Sequence, residues 1–145
     1  MFDEASYGDP AATLSLMSEM LLGLERGEIF LSHEPAYDLR KRAIISARSA
    51  PHWRHPARGF LTPDKFVPLA IQTGHIRHLA EWMIDRAIAD QRRMRESGRD
   101  IALSVAIPSA LLGNAAFIER TMRQIRRSSA RLCLEIIGDP ATLDD

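Results

Sequence analysis

The sequence predicts an α/β fold in which an antiparallel hairpin is followed by a parallel β-α-β-α-β succession. Two strand-like segments, residues 28–38 and 43–49, are separated only by the short polar connection 39–42, which suits antiparallel pairing. Two helical patterns then alternate with strand patterns at 101–107 and 132–137. Such alternation is typical of parallel strands joined by helical crossovers.

The first helix is predicted between two terminal signals. Residues 1–9 read as a polar arm that ends in Asp9, the N-cap, and Pro10 occupies the first helical position. Gly27 supplies the stop signal at the other end. We therefore divide the chain into a polar arm, 1–9, and a domain, 10–145. The apolar residues between the two signals repeat at helical spacing: Leu14, Met17, Leu21 and Leu24.

The middle of the chain is predicted to contain an interrupted strand, a loop and two helices. Pro35 breaks the first strand, and the Pro- and Gly-rich stretch 51–63 is expected to be an ordered loop. A short helix begins at 62–64 and ends before Gly74. A long helix with Gly98 as its stop signal follows. Its apolar stripe consists of Ile76, Leu79, Ala80, Met83, Ile84, Ala87 and Ile88.

The last third of the chain is predicted to alternate strand, helix and strand. The third strand is indicated by alternation between small and large apolar residues over 101–107. A helix opens at Pro108 and Ser109, and the fourth strand covers 132–137. The apolar face expected for that helix consists of Leu111, Ala115, Ile118, Met122 and Ile125.

Composition excludes several classes of function. The chain has 145 residues, 46% hydrophobic and 26% charged, which is enough for one globular core. Its formal net charge is zero, and the arginine clusters lack interleaved aromatic residues, so we expect no nucleic-acid binding. The N-terminus lacks a secretory pattern, no apolar run reaches membrane-span length, and Cys133 is the single cysteine. We therefore expect a cytoplasmic protein without a membrane or disulfide role.

The stretch 53–82 carries the most specific motif of the chain. Its tryptophan, proline and glycine residues fall at the spacing R-W-x-H-P-x-x-G-x-x-x-P-x-x-F-I-P-x-A-E-x-x-G-x-I-x-x-L-x-x-W. The matching residues are Trp53, His55, Pro56, Gly59, Pro63, Phe66, Pro68, Ala70, Gly74, Ile76, Leu79 and Trp82. By these residues the chain resembles the EAL-domain family, the bacterial cyclic-di-GMP phosphodiesterases. The resemblance implies a TIM-like (β/α) barrel, of which this chain would form about the first half, since such barrels need roughly 250 residues.

The resemblance also implies a catalytic site that is not intact here. The family uses magnesium or manganese held by carboxylate and amide oxygens. Arg48 stands where the family has the Glu of its name motif, and Ala106 stands where it has a ligand Asn. Glu135 keeps a ligand position, whereas Gly138 replaces a second Glu. The family's later ligands and its catalytic Lys would lie after Asp145. We therefore expect no enzyme activity, no bound metal and no cofactor.

Substrate-contact positions differ from the family as well. Glu34 replaces a Gln on the first strand, and His52 replaces an Arg that reaches a substrate phosphate in the family. Glu34, Arg48, His52 and Glu135 therefore form a degenerate candidate ligand site. Arg48 either pairs with Glu135 in an inactive barrel mouth or replaces the metal and binds a phosphate itself.

Histidine residues give little support for a metal site. His75 and His78 share a helix face, but no third ligand follows nearby. His55 lies in the motif and is expected to be structural.

Half a barrel leaves a sheet edge and one strand face without partners. Val105, Ile107 and Leu134 are expected to lie on an inner face that lacks its opposing wall. An open edge predicts binding of a partner protein or self-association. We therefore expect a catalytically inactive EAL-like regulatory domain that acts through protein–protein interaction in cyclic-di-GMP-linked bacterial signalling. The alternatives are a cyclic-di-GMP receptor without hydrolysis and an active phosphodiesterase, for which the sequence supplies no metal site.

Overall fold

The computed structural model describes residues 9–138, so residues 1–8 of the predicted arm lie outside the described part. Two compact units are present, one formed by 9–30 and 51–79 and the other by 31–50 and 80–138. The elements are α1 (Pro10–Arg26), β1 (Ile29–Asp38), β2 (Ala43–His55), β3 (Gly59–Leu61), α2 (Pro63–Thr73), α3 (Ile76–Glu96), β4 (Ala102–Pro108), a 3₁₀ helix (Ser109–Gly113), α4 (Ala115–Ser128) and β5 (Leu132–Ile137).

The strand order β1-β2-β4-β5 confirms the predicted α/β topology. Consecutive strands β1 and β2 are neighbours across the turn at 39–42, as a hairpin requires. Strand β4 runs parallel to β2, with Arg48 opposite Ser104, and β5 runs parallel to β4, with Ala106 opposite Glu135. Helices α3 and α4 are the crossovers between these parallel strands.

Both strands of the hairpin are more regular than expected. Strand β1 continues through Pro35, and β1 is an edge strand of the described sheet, the position where proline is tolerated in a strand. Strand β2 runs on to His55 instead of ending at 49, and β3 pairs with it antiparallel, so the predicted loop at 51–63 is wrong. The side chains of β2 alternate in burial across Pro51, which an extended backbone accommodates.

The first unit is built around Trp53, whose side chain is fully buried. Its ring packs edge-on against Phe66 at 5.5 Å between centroids, and its indole N–H donates to the Glu28 carboxylate at 3.1 Å. Gly23 of α1 faces this pair so closely that a Cβ would lie 2.9 Å from the Glu28 carboxylate and 3.2 Å from the indole nitrogen. A side chain at this position would therefore have to displace the Glu28 carboxylate and crowd the indole ring.

The predicted face of α1 is correct only in part, since Met17 is buried and Leu21 and Leu24 are half-buried. The buried residues are Leu16, Met17, Met20 and Gly23, whereas Leu14 is 56% exposed. A helix face that includes a glycine looks less hydrophobic in the sequence than the face beside it, so the apolar pattern predicted the neighbouring face. Both ends of the helix are as predicted, since the Asp9 carboxylate accepts from the Ala11 N–H and Gly27 adopts left-handed backbone geometry.

The second unit buries one face of the sheet. Leu103, Val105 and Ile107 of β4 are at most 1% exposed, so the expectation that Val105 and Ile107 lie on an open inner face is wrong. Leu134 is half-buried. Residues of one parity point to one side of a strand, and in β4 that side is covered. The open face of β4 carries the even-numbered residues, which include Ser104 and Ala106.

Helix α4 differs from its prediction in start and in face. A 3₁₀ turn takes up 109–113, and α4 begins after Asn114, whose side chain accepts from the Phe117 N–H at 3.0 Å. Phe117 and Thr121 are the buried residues of α4, and Met122 is 42% exposed. In α3 of the same unit, Trp82 is half-exposed and the Arg86 guanidinium lies 5.6 Å from its ring centroid.

Candidate functional site

The structure brings Arg48 and Glu135 together on the open face of the sheet. Arg48 Nη2 lies 3.6 Å from Glu135 Oε1, and the two side chains are 70% and 43% exposed. The residues belong to β2 and β5, which are separated by β4. Ser104 and Ala106 of β4 lie opposite Arg48 and Glu135 respectively, and their small side chains leave room for the two longer ones to meet. The predicted pairing is therefore confirmed.

The donor set around this pair does not fit a divalent cation. Magnesium and manganese require several oxygen ligands, and a guanidinium offers none. Here a fixed positive charge already faces the carboxylate of Glu135, while Ala106 beside it has no side-chain oxygen. Within residues 9–138 no group of three or more His, Cys, Asp or Glu side chains is placed to hold a metal ion.

The other two predicted site residues make different contacts. Glu34 is exposed and has no ion pair within the described residues. His52, which belongs to the first unit, lies between two phenylalanine rings, with centroids 5.6 Å from Phe30 and 5.3 Å from Phe60. Its Nδ1 is shielded from solvent and finds no hydrogen-bond partner in the part of the chain that is described. The sequence reading missed this aromatic stack, because it placed His52 and Phe60 in a loop and did not predict that β3 pairs with β2.

A polar chain on the buried face of the same sheet was also missed. His33 Nδ1 lies 2.8 Å from Ser49 Oγ, and His33 Nε2 lies 2.8 Å from the Asp90 carboxylate, which also pairs with Arg93. Ser49 is 3% exposed, so no substrate reaches its hydroxyl. These hydrogen bonds connect β1, β2 and α3 on the face of the sheet opposite to Arg48. Only an alternation count along β1 and β2 would have indicated that these residues point inward.

Two of the remaining histidines, His55 and His75, are engaged in hydrogen bonds. His55 Nδ1 accepts the backbone N–H groups of Ala57 and Arg58 at 3.0 Å each, so its ring proton is on Nε2, which donates to Glu19 at 2.8 Å. This arrangement agrees with the structural role expected for His55. His75 Nδ1 is hydrogen-bonded to the Thr73 hydroxyl at 2.8 Å.

A second polar cluster closes the amino-terminal end of β4. Gln91 is fully buried, and its amide donates to the Asp100 carboxylate at 2.9 Å and to the Ile101 carbonyl at 3.1 Å. Its oxygen accepts the Arg131 N–H at 3.2 Å. Desolvation raises the pKa of Asp100, but hydrogen bonds from Gln91 and Arg131 and the charges of Arg131 and Arg95 outweigh it, so that pKa lies below its ordinary value of 3.8.

Comparison with known proteins identifies the family of the chain. The family model for the EAL domain matches residues 17–144. The chain is 26% identical over 147 residues to the bifunctional diguanylate cyclase/cyclic di-GMP phosphodiesterase MucR of Pseudomonas aeruginosa, a match that covers 99% of this chain and 22% of that protein. It is 26% identical to the probable cyclic di-GMP phosphodiesterase PdeI of Escherichia coli, over 92% of this chain and 18% of that protein.

Solved structures give the same result for the fold. The chain is similar to a MucR phosphodiesterase in complex with c-di-GMP, with a TM-score of 0.74, 29% identity and coverage of 83% of this chain and 50% of that one. The FimX EAL domain of Xanthomonas citri in complex with c-di-GMP matches with a TM-score of 0.74 at 16% identity, over 92% of this chain and 52% of that one. The chain thus spans about half of these structures and about a fifth of the curated relatives. No helix within residues 9–138 combines the length and apolarity needed to cross a bilayer.

Proposed function

The chain belongs to the EAL-domain family. We propose that it acts in cyclic-di-GMP signalling by binding a partner protein and that it does not hydrolyse cyclic-di-GMP. The single observation that carries the proposal is the ion pair between Arg48 and Glu135 at 3.6 Å. In the metal-assisted reaction a divalent cation polarises the phosphate and activates water. Here the guanidinium of Arg48 lies next to the Glu135 carboxylate, and a guanidinium does not activate water as a bound metal ion does.

Partner binding is supported by what the second unit exposes. In the described part of the sheet β5 is the outermost strand, and an outermost strand offers unpaired backbone groups to an added strand. Ile136 and Ile137 on it are 48% and 54% exposed, and Cys133 is exposed as well. A second copy of the chain is one partner of this kind. A cytoplasmic setting is part of the proposal and rests on the absence of a second cysteine.

A cyclic-di-GMP receptor without hydrolysis is the second candidate. The observation that favours it is the exposure of Arg48, whose side chain is 70% accessible while it faces Glu135. An accessible guanidinium is well suited to bidentate binding of a phosphate. Glu34 and Glu135 oppose this reading, because both carry negative charge toward the open face.

One pair of measurements separates these possibilities. The purified chain is titrated with cyclic-di-GMP in a calorimeter, and the same sample with magnesium or manganese is assayed for product by chromatography. We expect no product from the chain. Product formation would overturn the proposal in favour of an active phosphodiesterase.

Two variants decide between receptor and scaffold. Arg48→Ala removes the guanidinium of the ion pair, and Arg58→Ala removes an exposed arginine of the other unit as a matched control. Binding that is lost in Arg48→Ala but kept in Arg58→Ala establishes the receptor. Absence of heat from the unmodified chain favours the protein-binding role.

A further inference from the structure

Five arginines near the carboxyl-terminal ends of α3 and α4 have no ion pair within residues 9–138. Other arginines nearby do have ion pairs: Arg93 pairs with Asp90, Arg120 pairs with Asp85, and Arg95 and Arg131 share Asp100. The chain as a whole has no net charge, so this excess of positive charge is local. The unpaired arginines, all exposed, are Arg92, Arg99, Arg123, Arg126 and Arg127.

Two of these arginines border a groove between α3 and α4. The groove has a volume of about 340 Å³ and is lined by Asp85, Ile88, Ala89, Arg92, Gln124, Arg127 and Ser128. Arg92 stands on the α3 side and Arg127 on the α4 side, while Ile88 and Ala89 give an apolar floor.

The one acidic residue of the lining is already engaged. The Asp85 carboxylate accepts hydrogen bonds from Arg120 at 2.9 Å and from Gln124 at 3.1 Å. The bond to Asp85 raises the pKa of Arg120, as a formed ion pair does. Neither Arg92 nor Arg127 is therefore compensated from within the groove.

We propose that this groove binds a short acidic segment of a partner protein, with carboxylates on Arg92 and Arg127 and an apolar side chain on Ile88 and Ala89. Charge complementarity selects an acidic ligand, and the apolar floor selects a peptide over a purely charged polymer. From Asp85 to Arg92 the helical rise gives about 11 Å, which suits about two turns of a helix. No aromatic side chain lines the groove, so bases find nothing on which to stack.

The inference rests on the proposed function, because it assigns a surface to the partner that the non-catalytic domain would bind. The probe is a fluorescein-labelled 14-residue peptide of Glu, Leu and Ala in an amphipathic helical pattern. Its binding to the full chain is followed by fluorescence anisotropy at low salt. A peptide with Lys in place of every Glu and a single-stranded DNA 14-mer are the competing probes. We expect the acidic peptide to bind more tightly than either.

Matched charge reversals locate the binding surface. The groove variant is Arg92→Glu with Arg127→Glu, and the control is Arg123→Glu with Arg126→Glu, which changes net charge equally outside the groove lining. We expect the groove variant to weaken peptide binding by about tenfold and the control to weaken it far less. If reversal unfolds the chain in circular dichroism, Arg92→Gln with Arg127→Gln replaces it and is expected to weaken binding in the same direction.

The outcomes separate this inference from the function on which it rests. Equal loss in both variants, or tighter binding of the DNA probe, overturns the groove as an acidic-peptide site. No measurable binding of the acidic peptide overturns it as well. Hydrolysis of cyclic-di-GMP would overturn the proposed function and leave the peptide result unaffected.

Discussion

Replacing Gln91 with Met tests the polar cluster that closes the amino-terminal end of β4. Methionine has nearly the volume of glutamine, so the change removes hydrogen bonds without opening a cavity. The backbone N–H of Arg131 and the carbonyl of Ile101 both lose their bonds to a side chain that is 0% exposed. Each backbone group left unpaired in partly buried surroundings costs about 1–2 kcal/mol, so the free energy of unfolding should fall by about 2–4 kcal/mol.

Urea unfolding followed by circular dichroism measures this loss. With a slope of about 2 kcal/mol per molar urea, the midpoint should fall by about 1–2 M. Gln72→Met is the matched control, since Gln72 is exposed on α2, and its effect should stay within about 0.5 kcal/mol. A midpoint for Gln91→Met that equals that of Gln72→Met would refute the reasoning. It would mean that water replaces every hydrogen bond of Gln91 without loss of stability.

Three further predictions follow from individual contacts. A double-mutant cycle on Arg48→Ala and Glu135→Ala should give a coupling free energy of about 0.2–1 kcal/mol, since both side chains are largely exposed; a coupling above 2 kcal/mol in urea unfolding would contradict this. Asp100→Asn should be less stable than the unmodified chain above pH 3.8, and the difference should vanish as pH falls through the lowered pKa of Asp100; a melting-temperature gap that does not narrow on acidification below pH 3.8 would be inconsistent with it. Asn114→Ala should cost about 1 kcal/mol as a lost N-cap, more than Thr62→Ala, because the Thr62 side chain makes no cap bond; equal losses would argue against the cap.

Local chemistry made the element ends predictable. Asp9, Gly27 and Gly74 mark helix ends in the sequence and do so in the structure, because capping depends on residues only a few positions apart. The pairing of Arg48 with Glu135 was also predictable, since the family resemblance placed both at strand ends around one cavity.

Features that depend on distant partners were not predictable. Gly23 lies on a buried face because Trp53 and Glu28 approach it, and no helical pattern records that contact. His33 is 57 residues from Asp90, so the sequence gives no sign that the two meet. The burial of Val105 was misassigned because alternation shows that two faces differ but not which one is covered.

The placement of the two tryptophans makes each unit its own optical reporter. Trp53, fully buried against Phe66, belongs to the first unit, and Trp82, half-exposed beside Arg86, belongs to the second. A shielded indole emits at shorter wavelength than one in contact with water. Replacing either tryptophan with Phe therefore leaves a single emitter, and the wavelength of its emission during denaturation reports whether the two units lose their structure together or in succession.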